Sequence, residues 1–238
     1  MLGIRASSGG AGGPPPPFSI ASLFAGAEKG AYYDFTDATK LAVNADGTGG
    51  SPAIGAVTRW AVDQSPNGNH LRNTTGSSTL RRANGVETSG AGYGLFNMAG
   101  FGGWPGIADP VEIVATLEQK TFAATDAIMI GSSNTSFRQG SASGKARPFA
   151  TVYGTEINPG LLTEFTVDLL FNGSGGLIGL NGGAMQASST TSGALDALAL
   201  GSGTGGGGSS QIRFKRLLVV GRALTAAERA GAVAWASA

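Results

Sequence analysis

Residues 163–171 read TEFTVDLLF, and this stretch decides the fold class. Its apolar and polar side chains alternate, and successive side chains of a β-strand point to opposite faces of the sheet. The apolar set is Phe165, Val167, Leu169 and Phe171, and the polar set is Glu164, Thr166 and Asp168. This alternation predicts a strand that places its apolar face on a core and its polar face outward.

Further segments show the same period of two or are short apolar runs between turn residues. The predicted strands are 57–62, 111–117, 126–131, 149–153, 176–180, 184–187, 197–200 and 211–221. In the last strand the side chains expected to face the core are Ile212, Phe214, Leu218 and Val220, with Arg216 as an exception in that row. Asn181-Gly182-Gly183 is a hairpin signal between two of these strands. Many short strands joined by glycine-rich turns predict an all-β, two-sheet antiparallel jelly-roll sandwich.

Two helices are expected at the ends of this β domain. Ser19 can cap a short helix over 20–28. Thr225 and Glu228 have the T-x-x-E spacing of a capping box, which predicts a C-terminal helix over 226–236. Val233 and Trp235 would give that helix apolar contacts.

Composition limits the classes of function. The chain has 238 residues, of which 41 are glycine, only 13% are charged and none is cysteine, with a net charge of +1. Without cysteine, disulfides, zinc–thiolate sites and thiol catalysis are excluded. The charge indicates no nucleic-acid partner, because nucleic-acid binding needs a clustered basic face. We also expect no membrane span and no secretory signal, because no apolar stretch of the required length and position exists.

The first 17 residues, MLGIRASSGGAGGPPPP, cannot build a core. Flexible glycines followed by a stiff polyproline run are typical of a linker or of a peptide that docks on a neighbouring subunit. We therefore divide the chain into an N-terminal anchor or linker, 1–17, and one β-sandwich domain, 18–238.

Both ends of the predicted domain contain motifs of a known family. Residues 32–37 (YYDFTD), 63–70 (DQSPNGNH) and 222–229 (RALTAAER) resemble the opening and closing motifs of concanavalin A-like lectin/glucanase (laminin-G-like) domains in phage and prophage particle proteins. The sequence departs from that pattern at three positions, where Tyr32 replaces Trp, Phe35 replaces Pro and Pro66 replaces Gly. The stretch 80–210 has no specific match to the family.

The resemblance implies a role on a virion. We expect a non-enzymatic structural or adhesion module that attaches to other virion proteins through its N-terminal tail, forms a homo-oligomer in the assembly and binds host-surface carbohydrate. A tail, fibre, baseplate or head position stays open. The alternatives are a head decoration or spike without glycan binding, and a glycoside hydrolase of the same fold.

A glycine-rich segment, 90–106, contains the candidate binding residues. One interpretation is a strand and loop that fill the core with aromatic side chains. The other is a platform on which a sugar ring stacks, because flat rings match the apolar faces of sugars. The platform residues would be Tyr93, Asn97 and Trp104.

Catalytic and metal-binding patterns are weak. His70 is the sole histidine, no G-x-S-x-G motif exists to supply a nucleophilic serine, and we expect His70 to pack in its turn. Glu164 and Asp168 lie on one strand roughly 13 Å apart, too far for a glycosidase pair. We therefore expect no enzyme activity and no cofactor. Asp34 and Asp37 are expected to accept backbone N–H groups in turns, with calcium ligation as the alternative.

Overall fold

A computed structural model of the chain describes residues 18–74, 79–90, 94–98, 103–124, 126–190, 193–202 and 210–238. In chain order its strands are β1 (Gly30–Asp34), β2 (Leu41–Ala42), β3 (Trp60–Ala61), β4 (Leu71–Arg72), β5 (Thr79–Arg82), β6 (Gly85–Thr88), β7 (Phe96–Met98), β8 (Val111–Gln119), β9 (Ile128–Gly131), β10 (Thr135–Gln139), β11 (Ala146–Ala150), β12 (Val152–Tyr153), β13 (Glu164–Phe171), β14 (Leu177–Leu180), β15 (Gln186–Ala187), β16 (Ala197–Leu200) and β17 (Ile212–Val220). The helices are three 3₁₀ turns, Ile20–Phe24, Ala38–Lys40 and Gly173–Gly175, and one α-helix, α1 (Ala226–Ser237). The predicted anchor, 1–17, lies outside the described residues.

The strands form two antiparallel sheets, which confirms the predicted two-sheet sandwich. The first sheet has the order β15-β14-β13-β8-β17-β6-β5, with β1 also paired to β17. The second sheet has the order β12-β11-β10-β9-β16-β7-β4-β3-β2. The main core lies between the sheets, where the alternating apolar residues of β13 and β8 are buried. No helix in the described ranges has the length and apolarity needed to cross a membrane.

The outer face of the first sheet is covered, and this differs from the prediction. The alternation in β13 places its apolar side chains in the core as expected. However, Thr166 and Asp168 are buried on the other face, because α1 and the 3₁₀ helix Ile20–Phe24 pack there in a second apolar cluster. For the same reason all nine residues of β8 are buried.

A β-bulge in β17 corrects the predicted facing of its second half. The register against β8 shifts between Phe214 and Arg216. One extra residue in a strand moves every following side chain to the opposite face. The core positions are therefore Ile212, Phe214, Leu217 and Val219, whereas Leu218 and Val220 pack under α1. The bulge also explains why Arg216 interrupts the predicted row: its side chain lies on the outer face and pairs with Asp34 at 3.0 Å.

The motif at 63–70 is a hydrogen-bonded turn. The two carboxylate oxygens of Asp63 accept hydrogen bonds from the backbone N–H groups of Tyr32, Ser65 and Asn69 and from the Ser65 hydroxyl. His70 accepts a hydrogen bond from the Asp63 N–H at Nδ1 and packs against Trp60. These contacts confirm the turn interpretation of His70. Asp34 and Asp37 likewise accept the backbone N–H groups of Thr36 and Thr39.

The C-terminal helix is confirmed with its capping box, in which the Thr225 and Glu228 side chains each bond the other's backbone N–H. The N-terminal helix is shorter than expected, because residues 20–24 form a 3₁₀ turn and the Ser19 side chain makes no capping hydrogen bond. The hairpin signal at 181–183 is also confirmed, since β14 and β15 pair across it.

Candidate functional site

A cavity of about 460 Å³ lies between α1 and the outer face of the first sheet. This volume is within the range of small-molecule sites, about 300–1,000 Å³. From the sheet and the loop after β14 the lining residues are Thr166, Asp168, Gly179, Gly182, Gly183 and Met185. From α1 they are Ala226, Arg229, Ala230, Val233 and Ala234.

Small residues make the space for this cavity. Asp168 is directly opposite Gly179 in the β13–β14 pair, so no side chain stands next to its carboxyl on that strand. Gly182, at φ +73°, lets the loop turn away beneath the helix. The preceding Asn181 holds the loop to the sheet, because its Oδ1 accepts the N–H of Thr166 at 2.8 Å. The alanines of α1 leave the opposite wall open.

Two acidic residues from neighbouring strands meet at the base of the cavity. Asp168 is opposite Val114 of β8, and Glu112 lies two positions further along that strand, so the two acids are diagonal neighbours. Arg229 of α1 binds Glu112 with two hydrogen bonds of 2.7 and 3.0 Å, and its Nε is 3.1 Å from Asp168 Oδ2. The N–H of Leu224 also donates to Glu112, at 2.7 Å. The cluster thus connects the sheet to the C-terminal helix.

Asp168 has fewer contacts than Glu112, because Arg229 approaches only its Oδ2, and at an angle unfavourable for a hydrogen bond. Asp168 is only 4% exposed, yet neither of its carboxyl oxygens has a hydrogen-bond partner of good geometry among the described residues. Burial raises the pKa of Asp168 to about 8, with a further contribution from the negative charge of Glu112, against the opposing charge of Arg229. The raised pKa favours the neutral acid, which can both donate and accept a hydrogen bond.

This arrangement can recognise an uncharged polar ligand. Buried polar groups are nearly always hydrogen-bonded, so a buried carboxyl that makes no well-aligned hydrogen bond and lines a cavity can accept a further partner there. A hydroxyl group suits Asp168, because each can donate to and accept from the other. Glu112 has a structural role instead, since its oxygens are occupied by Arg229 and Leu224.

The predicted sugar platform is corrected by the structure. Trp104 is only 2% exposed, its indole N–H donates to the Leu195 carbonyl and its backbone N–H donates to Asn97 Oδ1. Asn97 is fully buried and donates to the His70 carbonyl. A ring without an open face cannot stack on a sugar, so the core interpretation of this segment describes Trp104 and Asn97. Tyr93 lies outside the described residues.

The acid pair was missed because the sequence argument compared only carboxylates on one strand. Glu164 and Asp168 do not form a pair, and Glu164 binds Lys215 at 3.2 Å. The partner of Asp168 is Glu112, which lies on the adjacent strand. The sequence did contain a signal for this pair. Glu112 and Asp168 each stand between apolar residues of a long predicted strand, and a cation, Arg229, directly follows the capping box.

Within the described ranges, no group of three or more histidine, aspartate or glutamate side chains is placed to hold a metal ion. At the motif where calcium was the alternative, the oxygens of Asp34 and Asp37 accept hydrogen bonds from their own turns.

Several solved structures have a similar fold. Trypanosoma rangeli sialidase with 2,3-difluorosialic acid has a TM-score of 0.59 at 13% identity, over 86% of this chain and 33% of that one. The same sialidase with sialic acid has a TM-score of 0.58 at 14% identity, over 88% and 33%. A mutant GH54 α-L-arabinofuranosidase has a TM-score of 0.56 at 14% identity, over 91% of this chain and 64% of that one. No protein-family model and no curated protein sequence matches the chain.

These comparisons show that the fold of this chain is similar to part of a sialidase and part of an arabinofuranosidase. The chain spans about a third of the sialidase chains and 64% of the arabinofuranosidase chain. Our expectation of a non-enzymatic chain is wrong on this comparison, because the solved structures that share the fold are enzymes. At 13–14% identity the likeness concerns the fold.

Proposed function

We propose that this chain is a saccharide-binding β-sandwich domain of a carbohydrate-active protein, and that it holds a sugar unit in the cavity at Asp168. The observation that carries the proposal is the carboxyl of Asp168, which is buried, makes no well-aligned hydrogen bond within the described residues and lines a cavity of about 460 Å³.

The chemistry of the cavity suits a sugar. The neutral Asp168 carboxyl can bond a hydroxyl in both directions, and Arg229 adds planar N–H donors on the helix side. Met185 and Val233 supply apolar surface, as the C–H faces of a sugar ring require. The fold shared with a sialidase and an arabinofuranosidase supports the same class of ligand.

Blocking the cavity tests the proposal. Ala230 is exposed on α1 and lines the cavity, so A230F should fill it without touching the acid pair. We expect binding to a saccharide on a glycan array, quantified by calorimetry, to weaken by about tenfold or more, which is about 1.4 kcal/mol. The matched control is A227F, because Ala227 is exposed on the same helix and does not line the cavity.

Removal of the carboxyl provides a second variant. D168A should weaken the same interaction, whereas D168N, which keeps a donor and an acceptor, should retain part of it. The proposal fails if the unaltered protein binds no saccharide on the array, or if A230F and A227F bind equally well.

A second candidate function is glycoside hydrolysis, favoured by the protonated state of Asp168. A general acid must hold its proton at working pH, and a raised pKa achieves this. If the chain cleaves the glycoside that it binds, D168N should lower kcat by at least about a hundredfold while binding is retained. Hydrolysis of aryl glycosides, followed by released phenol, is the measurement, and equal rates for D168N and the unaltered protein would remove this candidate.

The particle setting stays a proposal based on the motifs at 32–37, 63–70 and 222–229. In that setting the cavity would attach a phage-like virion to host-surface carbohydrate, and the tail 1–17 would fasten the domain to its neighbours.

A further inference from the structure

A second cluster of polar and aromatic side chains lies on the outer face of the second sheet. Arg138 of β10 and Arg147 of β11 are directly opposite each other in the strand register. The Arg138 guanidinium lies over the Phe149 ring at 3.6 Å, and that of Arg147 lies over the Tyr153 ring at 3.9 Å. The two rings are 5.0 Å apart. The cluster is therefore a compact surface of two cations on two aromatic rings, at the edge formed by β12.

The charges of this cluster are not balanced. Like charges directly opposite on neighbouring strands destabilise a sheet. Asp126 compensates one of them, since it accepts from Arg147 at 2.8 Å and from the Tyr153 hydroxyl at 2.7 Å. Arg138 donates to the Ser136 hydroxyl and the Ser133 carbonyl, and no carboxylate in the described ranges lies within ion-pair distance of it. Asp126 is near enough to attract Arg138 as well, so a single carboxylate serves both cations. One positive charge is thus left without an anion.

The backbone beside the cluster is strained. Asp126 has a φ of +68° and Thr151, between β11 and β12, has a φ of +65°. Positive φ is unfavourable for a β-branched residue such as Thr151. Strained residues are concentrated at ligand sites, where the surrounding structure holds them in place. Tyr153, at 42% exposure, keeps the cluster open to solvent.

We propose that Arg138 and Arg147 form a binding site for the carboxylate of an acidic sugar, separate from the Asp168 cavity. A guanidinium binds a carboxylate with two parallel hydrogen bonds. The incoming anion supplies the charge that Arg138 lacks and relieves the repulsion between the two cations. Each guanidinium group stacks on an aromatic ring, which fixes its position before a ligand arrives. Little side-chain entropy is therefore lost on binding.

That the carboxylate belongs to a sugar rests on the proposed saccharide-binding function. A polyanion such as nucleic acid is disfavoured, because it needs many clustered cations and the net charge of this chain is only +1. The two sites are on opposite sheets, so each can be disabled without altering the other.

Oligogalacturonate and its methyl ester are the probes for this site. They have the same sugar skeleton, and only the first has free carboxylates. We expect the full chain to bind oligogalacturonate at least about tenfold more tightly than the ester, and R138Q and R147Q each to remove this preference. K29Q is the matched control, because Lys29 is an exposed cation without an ion pair in the described ranges. R138K keeps the charge but loses the paired hydrogen bonds, so it should weaken binding without affecting the fold.

The outcomes separate the two proposals. Equal binding of oligogalacturonate and its ester, sensitive to A230F, overturns the acidic-sugar site and leaves the cavity standing. If inorganic phosphate or a DNA fragment displaces bound oligogalacturonate as effectively as free oligogalacturonate does, the site binds anions in general, and this result also overturns the inference. Preference for oligogalacturonate that survives R138Q, R138K and R147Q places the site elsewhere and overturns it. Loss of the preference in the arginine variants, with A230F and K29Q unchanged, supports it.

Discussion

R229M is expected to lower the free energy of unfolding by about 3–5 kcal/mol. Arg229 supplies both hydrogen bonds of the ion pair with Glu112, whose side chain is fully buried. Methionine fills similar space but leaves the Glu112 charge without a counterion away from water, and an unpaired buried charge is among the most destabilising defects. Urea unfolding of the variant and the unaltered protein at pH 7 measures the difference.

A matched control shows whether the cost of R229M comes from the burial of the ion pair or only from the loss of a charge. Arg222 also forms a two-bond ion pair with a glutamate, Glu228, but on the surface. R222M should therefore cost no more than about 1 kcal/mol. Adding E112Q to R229M removes the unpaired charge and should restore part of the lost stability. If R229M and R222M cost the same, or if E112Q gives no recovery, the buried pair does not hold α1 to the sheet.

The stability of the protein should fall as pH rises from about 5 to 8, because of Asp168. Its pKa in the folded state is about 8, whereas an unfolded aspartate titrates near 3.9. Between these values the folded state holds one proton more, so the stabilisation is complete below about pH 4 and is lost as pH rises through the folded pKa. The slope for one proton is about 1.4 kcal/mol per pH unit.

D168N is the direct comparison, because asparagine cannot ionise. The stability of D168N, measured by urea unfolding from pH 5 to 8, should have a slope smaller by up to about 1.4 kcal/mol per pH unit. Two other groups also affect how stability depends on pH, because burial raises the pKa of Asp63 and lowers that of His70. They act equally in both proteins, so they do not change the difference in slope between D168N and the unaltered protein. Parallel curves for the two proteins would show that Asp168 is ionised in the folded state across this range.

Acid should destabilise the protein at lower pH, so its stability should be greatest in the weakly acidic range. Arg222 lowers the pKa of Glu228 to about 2. This glutamate therefore stabilises the fold above its unfolded pKa, and its contribution is lost as pH falls toward 2.

The buried carboxyl of Asp168 lowers the stability of the fold but suits the proposed binding of a saccharide. A buried carboxyl that makes no well-aligned hydrogen bond in the described ranges, such as that of Asp168, costs stability, and an apolar residue would pack under α1 at lower cost. Features that oppose stability in this way are concentrated at sites of function. This is the physical reason for proposing the saccharide site at Asp168 rather than at the buried Trp104.

Much of the fold was predictable from local patterns. The two-residue period of 163–171 identified β13, and the capping box at Thr225 identified α1, because both signals depend only on near neighbours in sequence. The bulge in β17 was not predicted, since alternation accounts for Ile212, Phe214, Leu218 and Val220 without it and leaves Arg216 as a single exception. The extra residue is accommodated by pairing with β8, which is distant in sequence.

The sequence by itself determined the two-sheet sandwich, its C-terminal helix and the turn at 63–70, because alternation, capping and turn chemistry act over a few residues. Only the tertiary structure decided that Asp168 meets Glu112 beneath Arg229, and that Trp104 lies in the core. Those outcomes depend on which strands become neighbours and on which sheet face the helix covers, and burial under that helix is what raises the pKa of Asp168.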